Sequence, residues 1–174
     1  MDRDWGFRLP VSCLCLTKAS LLSNYDIRIV AVADVLELRG ALLAHPAGSP
    51  SITGDDHPSS CHVTARRNEI PVGIGSIYSE PTPDGNPTAT WKLHGVAVDH
   101  GHRGMGVGAL VVERCLEHAA AHGANVVWCT APAGAFGFFE RCGFRRTGDP
   151  VDHRGGPQYK LFAEIGPLRR SWSI

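Results

Sequence analysis

Residues 96–116 read VAVDHGHRGMGVGALVVERCL, and this stretch decides the fold. A short apolar strand, Val96-Ala97-Val98, runs into a polar turn. Arg103-Gly104-Met105-Gly106-Val107-Gly108 follows, and an apolar-periodic helix begins on top of it. Three glycines in five residues let main chain approach a ligand with no side chain in the way. A helix starting there presents unpaired N–H groups and the positive end of its dipole. Those are the features that hold phosphate. Arg103 adds a fixed cation with planar donors.

Working outward, Tyr25 to Val32 alternates and is rich in branched residues, so it reads as a strand. Asp34 is placed to cap a helix whose apolar face is Val35, Leu38 and Leu42. Residues 45–60 are rich in Pro, Gly, Ser and Asp and read as a loop. His62–Ala65 and Val72–Tyr78 read as a hairpin closed near Arg67-Asn68-Glu69. A proline-rich loop, 79–89, leads to the strand Thr90–Val98. The helix from about Gly106 to His122 gathers Val111, Val112, Cys115, Leu116 and Ala119 on one side and ends at Gly123. A buried strand at Asn125–Thr130 and a short helix at Ala133–Cys142 follow. Phe144–Thr147 and Gln158–Glu164 are the closing strands.

Two blocks carry a resemblance. Arg103-x-x-Gly106-x-Gly108 is similar to the R-x-x-G-x-G pyrophosphate signature of the GNAT acyl-CoA N-acyltransferases. Residues 135–144, AFGFFERCGF, resemble the A-x-x-F-Y-x-x-x-G-F segment of the same family. The resemblance implies an α/β fold of α+β type: a mixed, mostly antiparallel sheet with a splayed central strand pair, flanked by helices. It would cover residues 25–165, leaving 1–24 as a poorly ordered N-terminal extension and 166–174 as a tail. It further implies acetyl-CoA as cosubstrate and no metal. The diphosphate would lie on Arg103, Gly104, Met105, Gly106, Val107 and Gly108. The pantetheine arm would lie along Val96, Ala97 and Val98, with Phe138 and Phe139 beside the cofactor. A backbone N–H near Val96 would serve the oxyanion. The acceptor would be a primary amine of a small molecule or an exposed amino group.

Composition sets the remaining bounds. The 174 residues carry 17 basic and 17 acidic side chains, a balance that argues against a dedicated nucleic-acid binder. Six cysteines occur with no C-x-x-C pair, which favours free thiols in a reducing cytoplasm over disulfides. No run reaches the length of a membrane helix. A homodimer is an expectation carried by the fold class alone.

The chemistry implied is attack of a neutral amine on a thioester. Deprotonating an alkyl amine of pKa about 10.4 at pH 7 costs roughly 4–5 kcal/mol, whereas expelling a thiolate of pKa about 8.5 costs only about 2 kcal/mol. A base therefore matters more than an acid. His94, two residues before Val96, is the base candidate, expected on the same strand face as Val96. Phe139 stands where many family members carry a Tyr that protonates the thiol. Tyr159 and Cys129 are the substitutes considered. Thr130-Ala131-Pro132 and Gly156-Pro157-Gln158 also depart from one branch's Asn-Ala-Arg and Gly-Pro-His, and His100 replaces a common Pro. These departures raise an alternative, a CoA-binding sensor or partner module without turnover.

Rival readings of the same residues are weaker. Gly104-x-Gly106-x-x-Ala109 fits a dinucleotide fingerprint, but no acidic residue ends the next strand to hold a ribose. His118 and His122 have zinc-ligand spacing without a third ligand. His100 and His102 read as helpers for phosphate or as solvated. Asp55-Asp56 reads as a solvated turn, or else as an attractor for a cationic amine. Trp91 and Trp128 read as core or pocket wall.

Overall fold

The computed structural model describes residues 24–43, 51–82, 89–151 and 156–165. The expectations for the N-terminal extension through residue 23, and for the tail from residue 166, lie outside them. A first strand, β1 (Asp26–Val30), leads into helix α1 (Val32–Leu42). The hairpin is β2 (Cys61–Arg67) and β3 (Ile70–Ser79). Asn68 and Glu69 close it with φ of 49° and 65°, the doubly positive pair of a two-residue hairpin loop. Strand β4 (Thr90–Val98) precedes the glycine turn and helix α2 (Val107–Ala121). Strand β5 (Val126–Pro132), short helix α3 (Phe136–Arg141), β6 (Arg145–Val151) and β7 (Gln158–Glu164) complete the order.

The seven strands form one sheet in the order β1-β2-β3-β4-β5-β7-β6. Every neighbouring pair is antiparallel except β4 and β5. One face carries α2, whose Val107, Val111, Val112, Cys115 and Ala119 are buried in the main core with Leu93, Val127 and Leu161. That arrangement follows from the 3.6-residue apolar stripe of α2 lying on a period-2 apolar face. The other face carries α1.

Helix α1 differs from its reading. It starts three residues earlier than an Asp34 cap requires: Ala31 is the N-cap, without a side-chain bond, and Asp34 lies in the first turn. Its buried residues are Val35 and Arg39, with Leu38 and Leu42 only half-buried. The strand before it ends at Val30, not Val32, because the helix takes the last residues.

Candidate functional site

Strand β4 meets β5 at only three rungs, Thr90↔Val126, Trp91↔Val127 and Lys92↔Trp128. On its far side β5 stays paired with β7 from Val126 to Pro132. The two parallel strands therefore diverge, and among the described residues the edge of β4 from Leu93 to Val98 has no strand partner on that side. Main-chain groups in such a gap must be satisfied by something. A ligand with amides of its own, laid in the gap, can supply partners.

Within that stretch β4 carries a bulge. Ser76 pairs with His94, but Ile74 pairs with Ala97, so β4 holds one extra residue. Gly95 takes it up with φ +62°, a left-handed conformation that suits glycine. The bulge reverses the side-chain alternation and corrects one expectation: His94 and Val96 lie on opposite faces. Val96 Cγ2 is 3.5 Å from where a Cβ on Gly75 would stand, beside Val111 of α2. His94 instead faces α1, and a Cβ on Gly95 would meet Arg39 Nε at 3.1 Å and Ile52 Cδ1 at 3.4 Å.

His94 stacks edge-on to Tyr78, with centroids 5.2 Å apart. Neither ring nitrogen has a hydrogen-bond partner among the described residues, and both are shielded from solvent. Burial, reinforced by the Arg39 charge, pushes its pKa down to about 4. The imidazole is therefore neutral at pH 7 and a weak base. It can accept a hydrogen bond from an amine but not hold the amine's proton.

Beyond Val98 the turn is held by short bonds. The Asp99 carboxylate accepts from Gly101 N–H at 3.1 Å, and Arg103 Nε donates to the Val98 carbonyl at 3.0 Å. Gly104 and Gly106 have φ of +76° and +84°, and nothing lies within 4 Å of where either Cβ would be. Gly106 is the N-cap of α2, with no side-chain cap and no acidic residue in the first turn. The opening N–H groups of a 15-residue helix thus face open space at its positive end. Gly108 serves differently: a Cβ there would stand 3.0 Å from the Phe138 ring and 3.4 Å from Val98 Cγ2.

Phe138 is half-buried and lies over this turn. Phe139 is placed in the core, 7% exposed, its ring edge-on to Phe138 at 4.9 Å and to Phe144 at 5.5 Å. Of the two aromatics expected beside a cofactor, Phe138 is the one that reaches the glycine turn. Cys129 is buried and its thiol pushed up to about 12 by desolvation. Tyr159 stacks edge-on to Phe136 at 4.8 Å, with the Arg146 guanidinium 5.1 Å from its ring.

Two features were missed in the sequence. Arg39 is fully buried and paired with Asp55 at 2.6 Å, and it also donates to Ser76 Oγ at 2.9 Å. Asp55 is thus no solvated turn residue: it is buried, and its charge is paired with Arg39. The clue was a charged residue one turn after Val35, inside the apolar face. The second is a chain on the α1 face. Tyr78 donates to the Glu80 carboxylate, which pairs with Lys92 at 3.0 Å, and the Lys92 ammonium stands 4.7 Å from the Trp128 ring. A cavity of about 730 Å³ lies on this face, lined by Ile52, Asp56, His57, Tyr78 and Glu80 among others. It is separate from the glycine turn but reaches the bulge through Ile52 and Tyr78.

Among the described residues no group of three or more side chains could hold a metal ion, and no helix is long and apolar enough to cross a membrane. A splayed parallel pair beside an uncapped, glycine-led helix is the arrangement that the resemblance to the acyltransferases implied. Residues 36–144 match the Acetyltransferase (GNAT) family, more than half of the chain, and the protein belongs to that family. It is 24% identical over 132 residues to the uncharacterized N-acetyltransferase YitI of Bacillus subtilis (strain 168), covering 75% of this chain and 89% of the relative. Escherichia coli ElaA shares the fold with a TM-score of 0.66 at 20% identity, over 80% of this chain and 99% of ElaA. The structure of YncA from Salmonella typhimurium, solved with its cofactor acetyl-CoA, superposes with a TM-score of 0.64 at 18% identity. It covers 82% of this chain and 95% of YncA.

Proposed function

We propose that residues 25–165 form an N-acetyltransferase domain that moves the acetyl group of acetyl-CoA to a primary amine, either of a small molecule or of an exposed amino group. The observation that carries this reading is the juxtaposition of two unmet demands. The α2 N-terminus lacks a cap, and the adjoining edge of β4 lacks a strand. A diphosphate answers the first and the amides of a pantetheine arm the second. The open space over Gly104 and Gly106 fits such a group.

When bound, acetyl-CoA supplies an acetyl thioester, whose leaving group is a thiolate. The chain's own residues then have three tasks. Amides from Arg103 to Gly108, with the Arg103 guanidinium, hold the diphosphate. Main chain from Val96 to Val98 aligns the arm, and the N–H near Val96 stabilises negative charge developing on the thioester oxygen. On the opposite face, His94 stays neutral behind Tyr78 and takes no proton from the incoming amine. The amine arrives already neutral, and the proton its nitrogen sheds as the amide bond forms and the C–S bond breaks passes to water. Phe139 cannot donate a proton, and the departing sulfur leaves as thiolate at a cost of about 2 kcal/mol. A cytoplasmic setting suits the free thiols Cys61, Cys115 and Cys129.

Isothermal titration with acetyl-CoA tests binding, and release of free CoA thiol over a panel of amines and peptides tests turnover. No binding overturns the reading. Binding without release on any acceptor identifies instead a CoA-sensing module, the alternative that Phe139 favours.

A further inference from the structure

The glycine turn is a poor cradle unless something holds it still. Gly101, Gly104 and Gly106 give it freedom, and ordering a free loop subtracts from binding. Most of its ties are local. His102 N–H donates to Asp99 O at 2.9 Å, Arg103 N–H to His100 O at 3.3 Å, and the Asp99 and Arg103 side chains bond within the same few residues. Two ties come from outside it: Asp99 N–H donates to the Val72 carbonyl at 2.8 Å, and the other is a side chain from much farther along the chain. The Tyr25 hydroxyl lies 3.1 Å from His102 Nδ1, 77 residues along the chain, and 3.4 Å from Met105 Sδ. The two rings meet edge to face, 5.9 Å between centroids at 85°. The Arg67 guanidinium at the end of β2 stands 6.0 Å from the centroid of the Tyr25 ring.

From this geometry we infer that Tyr25 is a positioning residue for the acetyl-CoA site. Its hydroxyl pins His102 and Met105, the residues on either side of Arg103-Gly104, so that the turn's amides stand preformed. This rests on the proposed acetyl-CoA reading and adds to it a residue outside both sequence blocks. The ring itself packs on the core, a duty phenylalanine can fulfil. Among the described residues the hydroxyl bonds only to the turn. As one neutral hydrogen bond held in a half-exposed place, it is worth about three- to tenfold in affinity.

The test uses the full chain with Tyr25→Phe, His102→Ala and the double variant. The expected result is a three- to tenfold rise in the dissociation constant and KM for acetyl-CoA in Tyr25→Phe. The kcat at saturating acetyl-CoA and the unliganded melting temperature should stay as in wild type. The double variant should be weaker than His102→Ala by less than Tyr25→Phe costs alone, because the two changes share the Tyr25–His102 contact. An unchanged dissociation constant in Tyr25→Phe, additive losses in the double variant, or a fall in kcat with no change in KM each overturns the inference. Wild-type protein that binds no acetyl-CoA overturns the proposed function and this inference together. Wild-type binding that Tyr25→Phe leaves intact overturns this inference alone.

Discussion

An imidazole with neither nitrogen satisfied destabilises its charged form, and His94 makes that measurable. Its folded pKa is held down to about 4, against 6.5 for the free group. Above pH 6.5 both folded and unfolded chains carry it neutral, and the fold keeps its full stability. As pH falls toward 4 the unfolded chain takes the proton first, so stability is lost, by about 2 kcal/mol between pH 7 and pH 5. His118, lowered by burial and by His122, adds loss of the same sign. Urea midpoints at the two pH values should therefore fall more for wild type than for His94→Phe, and equal falls would contradict the assignment. At Phe139 the expected outcome is also specific. The ring is buried among Phe138 and Phe144, so a hydroxyl added by Phe139→Tyr needs a partner. Without one it costs about 1–3 kcal/mol. We expect a lower melting temperature and no gain in acetyl transfer. The glycines were legible as a phosphate turn, but their separate reasons were not. Backbone conformation requires Gly104 and Gly106, whereas the Phe138 ring requires Gly108. Sequence spacing cannot tell an open Cβ position from a filled one.

At the scale of elements, α1 and the 51–57 loop are joined by the buried pair Arg39–Asp55. Asp55 also accepts from Ile52 N–H at 2.7 Å, and His62 bridges Ser76 Oγ at 2.8 Å and the Asp55 carbonyl at 3.1 Å. Removing one partner leaves the other charge buried, which costs about 3–5 kcal/mol. Asp55→Ala should therefore lower the unfolding free energy by that order. Glu117→Ala, which breaks the exposed Arg114 pair on α2, should change it by less than about 0.5 kcal/mol. Comparable effects would show that the buried pair is not what docks α1. Helix α2 was readable because its apolar period is long and a glycine follows its end, and the hairpin because its strands flank the polar turn at Asn68-Glu69. Strand β6, by contrast, runs on from Thr147 to Val151 with every residue exposed and so carries no apolar period to read. The face of His94 was not readable either. A single extra residue at Gly95 turns the rest of β4 over, and an isolated glycine in a strand signals a bulge only weakly. Nor was the start of α1, where a caps-based reading chose Asp34 over the uncapped Ala31.

For the whole molecule, the proposed cosubstrate would act as the missing strand and the missing cap at once, coupling α2 to β4 across the gap. At a concentration one hundred times its dissociation constant, a ligand bound only to the folded chain stabilises it by about 2.7 kcal/mol. In a domain of this size that raises the melting temperature by roughly 5–10 °C. Gly106→Val should abolish the rise. A branched residue in the left-handed region costs about 1–2 kcal/mol or shifts the turn, and its side chain would project into the space left open over Gly106. Hydrogen exchange separates this from unspecific stabilisation. The amides of Thr90–Lys92 lie where β4 is flanked by both β3 and β5, while beyond Lys92 β4 keeps β3 on one side and its other edge faces the gap. Acetyl-CoA should slow exchange most between Leu93 and Val98 and in the first turn of α2, and little between Thr90 and Lys92. A uniform slowing across β4 would mean that the ligand tightens the fold as a whole without lying in the splay, and the placement of the pantetheine arm along Val96–Val98 would have to be given up.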